Sequence, residues 1–394
     1  EGLGLMRAIM ERREAARPAT ARAAGTARPA PQPVAVTTPS AVAQGATQLH
    51  GDAARVAAPA AAEVRARSAR QLGVEAEQRF GLRDADDPDA AAPLDQPPTG
   101  LIEPPPREGA PRSDIGHTAP VPRPPFWGSR VIERVELKAA LAYINETMLF
   151  QVQWGFRKRG RSADEWKRHV DAEIRPIYRA LVERCQRERI LELRAAYGYW
   201  PANSDGDDLV IFEPPARPDV RPELHGPEIG RFTFPRQKRP PYWCLADFWR
   251  PLRDGVPDVA ALHVVTAGQR VSEVARQWFA ANDYQNYLFL HGLGVETAEA
   301  LAEYVHRQLR LELGIAGQDA RDRQALFKQG YQGSRFSFGY PACPRLEDQA
   351  LLLSLLGAER IGVSLSEEYQ LEPEQSTSAL IAYHPAARYF SVTG

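Results

Sequence analysis

Arg335-Phe336-Ser337-Phe338-Gly339-Tyr340-Pro341-Ala342-Cys343-Pro344 sets one permanent cation, a glycine and two prolines around a tyrosine. A guanidinium offers five N–H donors in a planar fork, the shape that grips a carboxylate at two points. Gly339 lets the backbone come close to a ligand, and Pro341 and Pro344 stiffen the second half of the loop. A loop of this make-up can hold a small zwitterion without large rearrangement.

Outward from this loop, helix and strand patterns interleave without a fixed period. Downstream, 347–356 reads as a helix closed by Gly357, and 362–364 and 379–383 read as strands. Upstream, 298–313 is a helix with Leu301, Val305, Leu309 and Leu313 as its core stripe and Gly314 as its stop. Another helix is expected at 271–282, after short strands at 209–212, 231–234 and 260–266. The stretch 190–199 reads as helix running into strand. Nearer the start, 129–135 alternates as a strand does, and 136–153 reads as one helix with Leu137, Ala140, Leu141 and Ile144 on a single face. Ser162-Ala163-Asp164-Glu165 is a capping box opening a long helix, kinked or broken near Pro176. The chain shows no repeated strand–helix–strand unit, no Gly-x-Gly-x-x-Gly and no phosphate-binding Gly-Lys-Ser/Thr. The expected class is therefore α+β rather than a doubly wound sheet.

Composition splits the chain. Residues 1–120 hold one of the 34 aromatics, Phe80, and 15 of the 34 prolines. Such a segment cannot bury enough apolar surface to offset its chain entropy. Residues 15–119 are expected to be a disordered Ala/Pro-rich linker, followed by one folded domain of roughly 270 residues. As a flexible coil the linker would span roughly 55 Å root-mean-square, enough to let a tethered domain swing across a neighbour. A short amphipathic helix is expected at 2–13, on Leu3, Met6, Ile9 and Met10. With Glu1 as first residue, this suggests a chain cut from something longer. The net charge of −1 argues against a nucleic-acid protein. No apolar run is long enough for a membrane span. Cys185, Cys244 and Cys343 lie far apart and make neither a zinc spacing nor a disulfide framework. A cytoplasmic location fits best.

The loop at 335–344 resembles the signature of the reactivation domain of cobalamin-dependent methionine synthase. Further blocks resemble that family in order: Pro124-Pro125-Phe126-Trp127-Gly128, Tyr197-Gly198-Tyr199-Trp200-Pro201-Ala202-Asn203, Phe234-Pro235-Arg236-Gln237, Cys244-Leu245-Ala246-Asp247-Phe248, Ala300 to His306, and His384-Pro385 with Tyr389-Phe390 behind. The resemblance covers 120–394. It implies a C-shaped domain built on a bent, mainly antiparallel sheet with flanking helices. It also implies that 1–14 ends a preceding cobalamin-binding domain and that a short closing helix beyond Gly394 is missing.

The same resemblance implies the site. Arg335 would take the carboxylate of S-adenosylmethionine; its plainer reading is a structural ion pair. Tyr340 would lie near the cobalt face of docked cobalamin, unless it is a core tyrosine. Tyr389 and Phe390 would border the adenosyl group; an aromatic pair at the end of a strand is otherwise core. Glu299 would face the ligand's ammonium or the docked cobalamin domain, where a lone helical glutamate is usually just solvated. Asn145 stands where many members carry a ligand-binding aspartate, so a charge is missing there that Glu146 could supply. Asp247, Cys244 and His384 read as structural, and Cys343 as a packed small side chain rather than a nucleophile.

The implied role is reactivation. The parent enzyme methylates homocysteine to methionine through cob(I)alamin, which is occasionally oxidised to inactive cob(II)alamin. An electron from a flavodoxin-type donor and a methyl group from S-adenosylmethionine restore it. No general base is needed, in keeping with the lack of a Ser/His or His/Asp constellation. The competing reading is a non-catalytic module that binds S-adenosylmethionine or docks a partner.

Overall fold

The computed structural model describes residues 111–217 and 226–392. The helix expected at 2–13 and the linker up to 110 lie outside the described residues. Seven strands form one sheet: β1 (Gly128–Ile132), β2 (Arg194–Asp205), β3 (Asp208–Phe212), β4 (Glu228–Thr233), β5 (Asp258–Thr266), β6 (Ser334–Phe336) and β9 (Ser376–Ala382). They run in the order β4-β3-β2-β5-β9-β6, with β1 also pairing β2, and every pairing is antiparallel. β7 (Ser364–Leu365) and β8 (Leu371–Glu372) make a separate small ribbon. Helices flank this open sheet, as the α+β reading requires.

β2 is the strand whose extent the sequence concealed. No helix precedes it from 190, and it continues through Trp200-Pro201-Ala202-Asn203. Its backbone pairs with β5 from Arg194↔Thr266 to Ala202↔Asp258, so distant partners, not local propensity, set its length.

Successive strand residues face opposite sides. One row of paired residues runs Tyr199, Ala261, Ile381, Arg335 across β2, β5, β9 and β6. On that face Tyr199, Ala261 and Ile381 share a core with Leu290, Leu301, Val305 and Leu309. These four belong to the helix α5 (Tyr284–Glu312), which contains most of the helix expected at 298–313. On the opposite face Leu262, Leu380 and Phe336 pack with Leu352 and Leu356 of the helix Asp348–Leu356. Each such fully buried side chain contributes about 1.5–3 kcal/mol.

The other helices are α1 (Leu137–Leu141), α2 (Ala163–His169), α3 (Arg175–Glu188), α4 (Gln269–Ala280) and a short one at Arg323–Phe327. The single helix expected at 136–153 is broken. α1 ends at Leu141, and a π-turn comes next at Met148–Gln153, begun where the side chain of Asn145 accepts from the Met148 N–H at 3.2 Å. The capping box stands, Ser162 and Glu165 each bonding the other's backbone N–H. A π-turn at Val170–Ile174 separates α2 from α3, with Pro176 in the first turn of α3.

α5 begins at Tyr284, fourteen positions before the expected start at 298. Gly292 and Gly294 lie within the helix. A Cβ on Gly292 would sit 2.8 Å from Gln153 Cβ, so the glycine allows the π-turn to press against the helix.

Residues 112–119 precede the expected start of the domain, yet they are bound to it. Ser113 Oγ donates to Asp247 at 2.8 Å, the Gly116 carbonyl lies 3.0 Å from His384 Nε2, and Arg250 donates to the Ala119 carbonyl at 2.7 Å.

Candidate functional site

Arg335 is not on a loop. It is the central residue of β6, a three-residue strand at the sheet edge, and pairs with Ile381. Its side chain leaves the sheet toward α5. The loop proper begins after Phe336. Gly339 adopts φ +87°, a conformation open to glycine, and a Cβ there would meet Leu346 at 2.9 Å. The turn is closed by Gly339 N–H to the Cys343 carbonyl at 3.0 Å and Cys343 N–H to the Tyr340 carbonyl at 2.9 Å. Gly339 therefore serves the turn itself.

Facing Arg335, α5 presents a polar stripe. Glu296, Glu299, Glu303, His306 and Arg310 recur at alternating three- and four-residue spacing, which puts them on one side of a helix. Glu296 accepts from Gln153 at 3.3 Å. Glu299 Oε2 lies 3.4 Å and Glu303 Oε2 3.6 Å from the Arg335 guanidinium. Glu303 Oε1 in turn lies 3.8 Å from Arg310, which makes close contacts of 2.9–3.2 Å to both oxygens of Asp319 and lies 4.0 Å over the ring of Tyr331. The Arg335 side chain is 10 % exposed, and its NH1 finds no hydrogen-bond acceptor among the described residues. The ion-pair reading of Arg335 is thus met in part, while one face of the fork keeps donors to spare.

Two buried histidines lie in this interior. Burial, and then the positive charge of Arg335, depress His263 of β5 to about 3. Burial, with Arg310 and Arg335, holds His306 well below its ordinary value. Both shifts favour the neutral ring, and neither histidine makes a hydrogen bond among the described residues. At the far end of α5, Glu312 accepts from the hydroxyls of Tyr197 and Tyr199 at 3.0 and 2.8 Å.

The other expected residues are dispersed around this centre. Glu299 is brought against Arg335. Tyr340 is half-buried in the turn. Tyr389 and Phe390 lie in irregular chain beyond β9, not at its end, and both are buried. Phe390 packs with Phe248, Trp243 and Phe336, the last of which leaves β6 on the face opposite to Arg335. Asn145 caps the π-turn beside α5. Glu146 is engaged by Arg175 at 2.6 Å, so its charge is matched there and is not free to replace the missing aspartate.

Asp247 accepts both arms of Arg236 at 2.6 and 2.7 Å, in a structural cluster with Asp207. Cys185, Cys244 and Cys343 are buried thiols. Burial pushes Cys185 up to about 12 and raises Cys244 and Cys343 as well, which suits packing rather than nucleophilic attack. No described helix is long and apolar enough to cross a membrane.

Sequence reasoning assigned no site role to Glu303, Arg310, Asp319, His263 or His306. The signal was present in the helical spacing of the polar residues of α5, but polar residues at that spacing usually mark a solvated face.

The geometry can be set beside known proteins. The family model described as "Vitamin B12 dependent methionine synthase, activation domain" matches residues 136–394. A methionine synthase of Mycobacterium tuberculosis (strain ATCC 25618 / H37Rv) is 44 % identical over 293 residues, covering 71 % of this chain and 24 % of that protein. The methionine synthase of Mycobacterium leprae (strain TN) is 43 % identical over 294 residues, with the same shares. The chain thus spans about a quarter of the length of the curated relatives it matches. Among solved structures, the crystal structure of the MetH reactivation domain bound to AdoHcy is similar, with a TM-score of 0.60 and 28 % identity over 70 % of this chain and 84 % of that one. An antiparallel sheet crossed by a long helix, with the 335–344 turn at its edge and these relatives beside it, places the chain in the family of vitamin B12 dependent methionine synthase activation domains.

Proposed function

We propose that this chain binds S-adenosylmethionine through Arg335 and serves as the reactivation module of a cobalamin-dependent methionine synthase, the methyltransferase that converts homocysteine to methionine. The observation that carries the reading is Arg335 itself, nearly buried and braced by two glutamates at 3.4 and 3.6 Å, with no hydrogen bond made by its NH1 among the described residues. A ligand carboxylate fits the more exposed side of this fork, where Glu299 stands 3.4 Å from NH2, and Glu299, once displaced, fits an ammonium group. The adenosylhomocysteine in the similar reactivation domain carries the same amino-acid head, which supports the assignment.

Within this reading S-adenosylmethionine supplies the methyl group for reductive methylation of cobalamin. This chain's residues bind and aim the ligand: Arg335 and Glu299 fix its amino-acid end, Tyr389 borders its adenosyl group with Phe390 backing it from the core against Trp243 and Phe248, Asn145 contributes a neutral contact, and Tyr340 faces the corrin. Placement rather than proton transfer is what such a site contributes. Cobalamin is held mainly by a cobalamin-binding domain of the same parent protein, a flavodoxin-type protein delivers the electron, and the location is cytoplasmic.

Calorimetric titration with S-adenosylmethionine tests the reading. Loss of a charge-assisted two-point contact costs on the order of 1.5–3 kcal/mol, so Arg335→Ala is expected to bind at least about tenfold more weakly. Unchanged affinity in a folded Arg335→Ala protein overturns the assignment.

A further inference from the structure

We propose that Glu303 is a positioning residue for Arg335, fixed in turn by Arg310 and Asp319, and that Glu299 is the partner of Arg335 that yields to the ligand; this rests on the ligand reading above. The two glutamates touch the same guanidinium but sit in unlike surroundings. Glu299 is 26 % exposed, and water can take up its charge when it swings away. Glu303 is 7 % exposed and bridges two guanidinium groups, 3.6 Å from Arg335 and 3.8 Å from Arg310. A carboxylate so placed cannot leave without stranding buried charge.

Arg310 is the fixed point of the chain of contacts. Its side chain is 1 % exposed, both oxygens of Asp319 receive it, and the Tyr331 ring lies against it. Arg335 has no comparable clamp. It stands on a three-residue edge strand with a long, flexible side chain, and the π-cloud or bidentate acceptor that would hold its plane is missing among the described residues. Its orientation therefore depends on Glu303. With Glu303 kept on one side of the fork, a ligand carboxylate displaces Glu299 on the other, and the displaced Glu299 meets the ligand's ammonium.

Two ligands separate positioning from general support of the fold. S-adenosylhomocysteine carries the amino-acid carboxylate, and 5′-methylthioadenosine is the same adenosyl thioether without it. Glu303→Gln is expected to weaken S-adenosylhomocysteine by about tenfold while leaving 5′-methylthioadenosine within about twofold, and to add no further loss in an Arg335→Ala background. Asp319→Asn, one step further from the site, is expected to show the same selectivity at about threefold, and it keeps the test open should Glu303→Gln not fold. Equal weakening of both ligands, or S-adenosylhomocysteine binding unchanged in both variants, overturns the proposal. If the unaltered chain fails to bind S-adenosylhomocysteine, the ligand reading falls and this one with it. If it binds and only the variants are silent, this inference alone is lost.

Discussion

Arg335 NH2 and Glu299 Oε2 stand 3.4 Å apart, joining the edge strand of the sheet to the long helix that crosses it. The pair is partly exposed, so its direct worth to the fold is at most about 1 kcal/mol. Its worth to the ligand is larger if Glu299 receives the ammonium. Glu299→Gln is expected to leave the melting temperature nearly unchanged and to weaken S-adenosylmethionine by about threefold to tenfold in calorimetry. Equal affinity would remove Glu299 from the site.

Asn145 is expected to be a weak point of the same site. Asp at this position keeps the cap on Met148, since a carboxylate accepts an N–H as well as an amide oxygen does. It also adds the charge that Glu146, bound to Arg175, does not provide. Asn145→Asp is expected to tighten S-adenosylmethionine by about 1 kcal/mol, less at high salt. A folded variant that binds equally or more weakly would show that this position does not face the ammonium.

His263 gives the domain an acid-side liability. Its folded value of about 3 lies below the ordinary 6.5, so folding favours the neutral ring. The stability this contributes is complete above 6.5 and is lost as pH falls from 6.5 toward 3, at about 1.4 kcal/mol per pH unit. In urea unfolding between about pH 6.5 and 4.5, His263→Phe is expected to show a shallower decline than the unaltered chain. Parallel curves would mean that the ring is not buried neutral in solution.

The strap at 112–119 sets where the protected domain begins. Limited proteolysis is expected to leave a core starting near Arg112, not at Val121. Ser113→Ala removes one hydrogen bond to Asp247 while the Arg236 pair remains, costs about 1 kcal/mol, and shifts cleavage toward 120. Cleavage already at 120 in the unaltered chain would count against a docked strap.

Much was legible in the sequence because it is local. The Ser162–Glu165 capping box, the stop of one helix at Gly357 and the apolar runs of β3 and β5 each depend on neighbours a few positions away. The aromatic-poor first 120 residues and the aromatic-rich remainder are likewise a property of composition. Arg335 stood out as the one cation of its loop, and the resemblance of the surrounding blocks pointed to the family that the similar proteins then gave.

The tertiary structure decided what that arginine faces. β5 and β9 pair across more than a hundred intervening residues, and β6 is a strand only because β9 lies beside it. That pairing turns Arg335 toward α5 and Phe336 away, and it sends Phe390 to the far side with Phe336. It also buries Glu303, His306 and Arg310, which sequence spacing alone would leave on a solvated face. A buried charge needs partners from other elements, and no local pattern states which elements will meet.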